Sequence, residues 1–371
     1  MPKVVLPIAN GFYESDSLPI SAQECVNFYP NIAQAPALNQ ETLYGTAGLE
    51  EVANANSLTG NRGAHEMNGV PYFVIENRLY SMAADFTLTF IGEIAGDTRV
   101  SMADNGTQLL VLVPNGNGYI YNHVADTFAQ ITDSDFTANG NPQLVVYIDG
   151  FFCLTTDSKK FIVSALNDGL SYNALDFGTA ESDPDEIVAP IVFKNQLFIG
   201  GSQTIEAFQN IGGADFPFQR TGLFLSKGIA SPFSIQSLQG TFVFIGSGQN
   251  ESPAIWAFEG NDAVKISTTA IDKELSNLTQ DQVTSIYSWG YAEKGAYFVG
   301  FALPSSTLVY DIITKRWHER KSVIEGDLGG YRVTALVRAY NKIWAGDLVD
   351  GRIGNLDPDF YTEYGTEIRR S

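Results

Sequence analysis

Seven short hairpin-like units recur along the chain, and their spacing limits the fold more than any other feature. Each is a run of β-branched and aromatic residues, a cluster of turn formers, and a second such run. PYFVIENRLYSM runs from Pro71 to Met82, LLVLVPNGNGYIYN from Leu109 to Asn122, FFCLTTDSKKFIVSAL from Phe151 to Leu166, and NQLFIGGSQTIEAF from Asn195 to Phe208. TFVFIGSGQNESPAIWAF (Thr241 to Phe258), AYFVGFALPSSTLVYD (Ala296 to Asp311) and NKIWAGDLVDGRIGNL (Asn341 to Leu356) complete the series. With Phe73, Leu110, Phe152, Leu197, Phe242, Tyr297 and Ile343 as markers, the gaps are 37, 42, 45, 45, 55 and 46 residues, averaging 45. A period of about 40–50 residues is that of four-stranded propeller blades. Runs such as Phe242-Val243-Phe244-Ile245 and Leu109 to Val113 are apolar at successive positions. That suits an inner blade strand buried on both faces by its neighbours. Helical repeats would need longer runs with less glycine, and a sandwich would not ordinarily repeat a hairpin at this interval. The chain reads as all-β, a β-propeller of about seven four-stranded blades, with six blades as the alternative.

The segment from Asn10 to Gln40 has no sustained period and mixes Pro, Asn and Ser with isolated aromatics. It is expected to be an extended N-terminal arm over 1–40, with Phe12, Tyr13, Phe28 and Tyr29 as anchors and candidate partner contacts. The propeller is expected over 41–357. LYGTAGLEEVA (Leu43 to Ala53) precedes the first hairpin and is suited to closing the ring by pairing with its last blade. The longest gap holds AIDKELSNLTQDQV (Ala270 to Val283), where Ile271, Leu275 and Leu278 stand at helical spacing. One short inserted helix is expected there.

Composition removes several function classes. The chain has 42 Asp+Glu against 22 Lys+Arg, a formal charge of −20, which argues against a surface that grips phosphates by neutralising them. With 44% hydrophobic and 12% aromatic residues, it is too apolar for a disordered acidic chain. No apolar run approaches the roughly 18 residues of a membrane span, and the opening MPKVVLPIANG lacks the apolar core of a secretory signal. Cys25 and Cys153 form no disulfide framework and are read as buried free thiols.

Catalytic and metal chemistry find little footing. His65, His123 and His318 fall in three different units, and no HExxH, CxxC or phosphate-binding glycine loop is present. Gly246-Ser247-Gly248 reads as part of a hairpin and not a nucleophile elbow. Asp133-Ser134-Asp135 and the stretch from Glu181 to Glu186 are acidic, but they fall in loops without calcium-loop spacing and read as solvated turns. Trp317-His318-Glu319-Arg320 is the one compact set of versatile side chains. It is read first as a strand end, and second as a contact patch in which Trp317 and Arg320 meet a partner. No catalytic, cofactor-binding or metal residues are proposed.

An ordered series of segments carries a family resemblance along nearly the whole length. It includes TAGLEEVA (Thr46 to Ala53), GDTRVSMADNG (Gly96 to Gly106), DPDEIVAPIVFKNQLFIGGSQTIEAFQN (Asp183 to Asn210) and SKGIASPFSI (Ser226 to Ile235). IGSGQ (Ile245 to Gln249), TLVYDIITKRWHER (Thr307 to Arg320) and GNLDPDFYTEYGTEIRRS (Gly354 to Ser371) follow. In this the chain resembles the packaged-DNA stabilisation, or tail hub, proteins of short-tailed bacteriophages. The resemblance implies a structural component of the virion tail, assembled in the host bacterial cytoplasm and added after packaging to close the head. Its partners would be the portal–adaptor ring, a tail needle or plug, and tail fibre or spike proteins. It would form a homo-oligomeric ring in the virion and a monomer in isolation, with no sequence-specific nucleic-acid binding and no membrane contact. Members of that family continue past the position matching Ser371, so residues 358–371 are expected to begin a C-terminal segment cut short. On this reading the acid excess serves a wall that repels DNA phosphate over roughly 8 Å. The competing enzymatic reading is a propeller glycosidase or lyase acting on cell-surface polysaccharide through acidic loop carboxylates. A third, a WD or Kelch adaptor, lacks the dipeptides that mark those repeats.

Overall fold

Residues 11–14, 22–33, 41–180, 185–213 and 216–371 are described by the structure, a computed structural model. Seven antiparallel sheets follow one another around a central axis, as blades 1 to 7 at 61–93, 101–130, 142–179, 187–225, 228–265, 287–319 and 333–357. The seven-bladed reading holds, and six blades is excluded. In blades 1 to 4 and 6, four strands pair in chain order from the axis outward. Blade 5 splits its innermost strand, since Gly228–Ile229 and Gln236–Leu238 both pair with Thr241–Ser247.

Blade 7 supplies three strands, and the fourth comes from far upstream. Gly48–Asn54 lies against Arg352–Asp357, with Leu49 opposite Leu356. The piece expected to close the ring is thus two strands, because Glu41–Gly45 turns away to pair with Phe28–Ile32.

All seven marker residues fall on the second strand of their blade. Gln108–Val113 shows why they stood out, being buried at every position. The apolar runs read as inner strands are therefore second strands, one removed from the axis. Six of the seven joins between first and second strands are two-residue turns with both φ positive, as in Asn68-Gly69 (54° and 82°) and Asp149-Gly150 (51° and 92°). That geometry matches the right-handed twist of the flanking strands.

The core is divided among seven buried clusters, one in each seam between adjacent blades. Between blades 4 and 5 it is a block of phenyl rings: Phe193, Phe198, Phe242, Phe244 and Phe258. At Gly300, an added Cβ would stand 2.3 Å from the Trp289 ring, so only glycine lets that indole lie flat on its neighbouring strand.

The insertion between blades 5 and 6 holds two helices, Thr269–Ser276 and Gln280–Thr284, where one was expected. Thr279 starts the second by forming a reciprocal capping box with Gln282. Ile271 and Leu275 bury the first helix on the seam between blades 5 and 6.

Candidate functional site

The sequence-derived contact residues gather at the rim of blade 6. Phe12 is half-buried against the cluster containing Trp317, and its N–H donates to the Trp317 carbonyl at 2.8 Å. Tyr13 is half-buried on a two-residue strand paired with Ala22–Gln23. Phe28 is half-buried, whereas Tyr29 is 4% exposed and meets Phe298 edge-on at 4.9 Å. Just before Phe28 the backbone makes one parallel bridge, from Val26 to Glu319. Glu319 N–H donates to the Cys25 carbonyl at 2.8 Å, and Asn27 N–H donates to the Glu319 carbonyl at 2.9 Å. This bridge covers the Glu319 end of the blade's outer edge, where unpaired backbone groups would otherwise face water.

Asn27 is the node of this clasp. It is buried with φ of 55°, a conformation asparagine tolerates better than most residues. Its side-chain amide donates to the carbonyls of Lys321 at 2.9 Å and Arg369 at 2.7 Å, and its Oδ1 accepts from Lys321 N–H at 3.0 Å. Beside it Val26 and Ser371 exchange backbone hydrogen bonds of 2.8 and 3.2 Å. One buried amide thus ties the arm, the connection between blades 6 and 7, and the segment around 369–371.

Trp317 and Arg320 are turned inward. Trp317 is 4% exposed, and its indole N–H donates to the Ile266 carbonyl at 2.9 Å. Arg320 is fully buried among the rings of Phe298, Tyr291, Trp289 and Tyr331, at 5.1, 5.2, 5.5 and 5.6 Å. Its Nη2 donates to the Tyr291 hydroxyl at 2.6 Å. Burial, helped by the Arg320 charge, drives the neighbouring His318 imidazole well below its ordinary pKa and keeps it neutral. In blade 7, Arg332 pairs with Asp347 at 2.6 Å, both almost wholly buried. Glu363 lies beside them, its carboxyl pushed up by burial to about 7. Neither Asn27 nor Glu363 announces itself in sequence, because the partners of each are distant along the chain.

The first strands of all seven blades line a central cavity of about 610 Å³. Among the described residues Asp104 is the one carboxylate in this lining, and it meets His65 at 2.7 Å. Burial works to raise the Asp104 carboxyl, but hydrogen bonds from His65 and the Gly106 N–H hold it below the ordinary range. The acid excess is therefore not carried by the channel wall.

The acidic loops are built into the frame. Asp133 accepts from the N–H groups of Asp135 and Tyr172, and Asp135 accepts from Ala174 N–H. Together they clip a short 3-10 turn to the long outer strand Asp168–Thr179. Asp185 is buried and accepts from the N–H groups of Gln203 and Thr204 at 2.7 and 3.0 Å. The stretch 181–184 lies outside the described residues. His123 is exposed, with Asn68 at 3.3 Å, and Ser247 ends a second strand. Cys25 and Cys153 are both buried and unpaired. Among the described residues no group of three His, Cys, Asp or Glu side chains is arranged to hold a metal ion.

Against known proteins, residues 4–361 match the phage-stabilisation family, described as the bacteriophage P22 Gp10 β-propeller. The tail hub protein gp10 of Salmonella phage P22 is 25% identical over 343 residues, which cover 85% of this chain and 72% of that protein. Solved structures agree on the fold alone. An extracellular domain of a hybrid two-component system from B. thetaiotaomicron superposes with a TM-score of 0.55 at 12% identity, over 84% of this chain and 40% of that one. A chain of an S. cerevisiae assembly containing Dbp5, Nup159 and Gle1 gives 0.51 at 12% identity, over 84% and 94%.

Proposed function

The chain belongs to the phage-stabilisation family of P22 Gp10 β-propellers, and from that premise we propose that it is a structural hub of a phage tail. It acts in the virion by binding other tail proteins, closing the head below the portal–adaptor ring and linking that ring to a needle or plug and to fibres or spikes. The observation that carries this is a family match spanning the whole propeller, joined to a relative named as a tail hub.

The geometry supports a role in assembly over one in catalysis. The glycosidase reading needs two carboxylates facing one another across about 5–10 Å. Among the described residues the channel lining offers Asp104 alone, held by His65, while Asp133, Asp135 and Asp185 are committed to backbone N–H groups. With a net charge of −20, the outer surface repels duplex DNA, so retention of the genome is steric and not a matter of phosphate binding. Phe28 and the outer face of the arm, which remain partly accessible, are the proposed contacts.

The test is co-sedimentation of the chain with a purified portal–adaptor ring. Stoichiometric association into a ring is expected, from a chain that sizes as a monomer alone. No association with that ring would overturn the hub reading. Tight duplex binding in a low-salt gel shift would overturn the steric account of retention.

A further inference from the structure

Arg99 stands apart from the rest of the channel wall. It lies two residues before the first strand of blade 2, yet its contacts lie across the lumen. Its guanidinium sits 4.1 Å from the centre of the Tyr287 ring in blade 6 and 5.6 Å from that of Phe233 in blade 5. Its Nη2 donates to the Thr334 carbonyl in blade 7. Arg99 lies two residues before its innermost strand, Tyr287 and Thr334 are the first and second residues of theirs, and Phe233 lies between the two inner pieces of blade 5. Those strands run in one sense along the axis, so the side chain bars one mouth of the channel.

The bar is a cation without an anion. Among the described residues Arg99 makes one side-chain hydrogen bond and no ion pair, although a guanidinium carries five N–H donors. Arg99 is half-buried; desolvation brings its pKa down to about 10, and no carboxylate acts to raise it again. Asp104, the one carboxylate of the lining among the described residues, is occupied by His65. Behind Arg99 the lumen wall is mixed, the half-buried apolar side chains of Met102 and Leu336 alternating with polar ones such as His65, Ser101, Gln236 and Ser288.

We propose that the channel is a binding site for an amphipathic monocarboxylate, its carboxylate on Arg99 and its apolar body among the first strands. A planar guanidinium accepts a carboxylate through two parallel hydrogen bonds. A single cation neutralises a single negative charge. A phosphate dianion would leave excess charge in a lumen that already holds Asp104. The acid comes either as a free small molecule or as the terminal carboxylate of an apolar peptide tail.

Calorimetric titration of the whole chain tests this with octanoate, 1-octanol and inorganic phosphate. Octanoate is expected to bind saturably and more tightly than either of the others. Arg99→Gln is expected to weaken it about tenfold or more, as loss of a charge-assisted hydrogen bond dictates, with Arg99→Lys in between. Should Arg99→Gln fold poorly, phenylglyoxal labelling of the native chain gives a second measure. Octanoate is expected to protect Arg99 and leave the exposed Arg338 reactive. An apolar peptide that binds with a free C-terminus and not as its amide identifies a protein tail as the source, whereas binding of octanoate alone identifies a small acid. Absence of saturable octanoate binding, equal binding of octanol or phosphate, undiminished binding by a folded Arg99→Gln, or unprotected Arg99 would each overturn the proposal.

Discussion

The seam between blades 4 and 5 and the seam between blades 6 and 7 solve the same packing problem with opposite materials. In the first, Phe242 and Phe258 stack 4.8 Å apart and nearly parallel, while Phe193 and Phe198 meet them edge-on or tilted. In the second, a fully buried arginine sits among four aromatic rings, and an Arg332–Asp347 pair lies close by. The gain from burying phenyl rings is non-directional, and their edge-on and stacked pairing adds only modestly to it. Buried charge gains only where every partner is in place, and costs heavily elsewhere. The polar seam adjoins the blade completed by Gly48–Asn54. That strand arrives from elsewhere in the chain, and a slip of one residue would turn its side chains to the wrong face. We read the buried charge as fixing register where the ring closes, and the rings as supplying cohesion where neighbours are already joined.

The largest expected effects come from cutting one partner out of each seam. Asp347→Ala strands Arg332 and is expected to cost about 3–5 kcal/mol in urea unfolding. Phe242→Ala is expected to cost a similar amount, about 3–5 kcal/mol, through lost burial and a cavity. The two differ in rescue. Arg332→Met combined with Asp347→Leu is expected to recover most of the loss, because it removes both desolvated charges. A double variant as unstable as Asp347→Ala would break the comparison, since the pair would then supply cohesion directly.

A smaller effect is expected at the clasp. Asn27→Ala removes three hydrogen bonds, for about 1–3 kcal/mol, felt locally. Amide exchange is expected to quicken in residues 25–33 and 369–371 while the amides of blades 1 to 4 keep their protection. Uniform quickening would mean that the clasp supports the whole ring.

The smallest effect is a slope with pH. Burial lifts the Glu363 carboxyl from its ordinary 4.5 to about 7, so the folded chain holds this proton more tightly than the unfolded one. Its contribution to stability is full below pH 4.5 and is lost as pH rises through 7. Glu293 and Glu319, also raised by burial, add the same sign. Thermal melts between pH 4.5 and 7.5 should fall with pH, and Glu363→Gln should flatten that fall. An unchanged slope would remove Glu363 from the polar seam's pH response.

The contrast between the seams also decides what could be read from sequence. Second strands such as Gln108–Val113 are squeezed on both faces, so their apolar runs are local signals, and all seven were found. First strands border the channel and keep polar or small residues, as in Ser101–Asp104 and Gln236–Leu238, and their pattern is weak. The Asn68-Gly69, Asp149-Gly150, Gln239-Gly240 and Lys294-Gly295 turns that end them are their one local mark, and it went unread. The second helix was missed because Ile271, Leu275 and Leu278 keep helical spacing up to Thr279, where a capping box restarts the chain. The clasp at Asn27 and the bar at Arg99 bring together residues hundreds of positions apart. No local pattern encodes such meetings.

Completion of blade 7 by Gly48–Asn54 also sets a timetable. On the ribosome this strand emerges roughly 300 residues ahead of its partner Arg352–Asp357. At about 5–20 residues per second the wait is on the order of tens of seconds. Throughout it, an open crescent of finished blades presents one unmated apolar edge to the crowded interior of the cell. Whatever shelters that edge during synthesis sets how much of the chain reaches the closed ring.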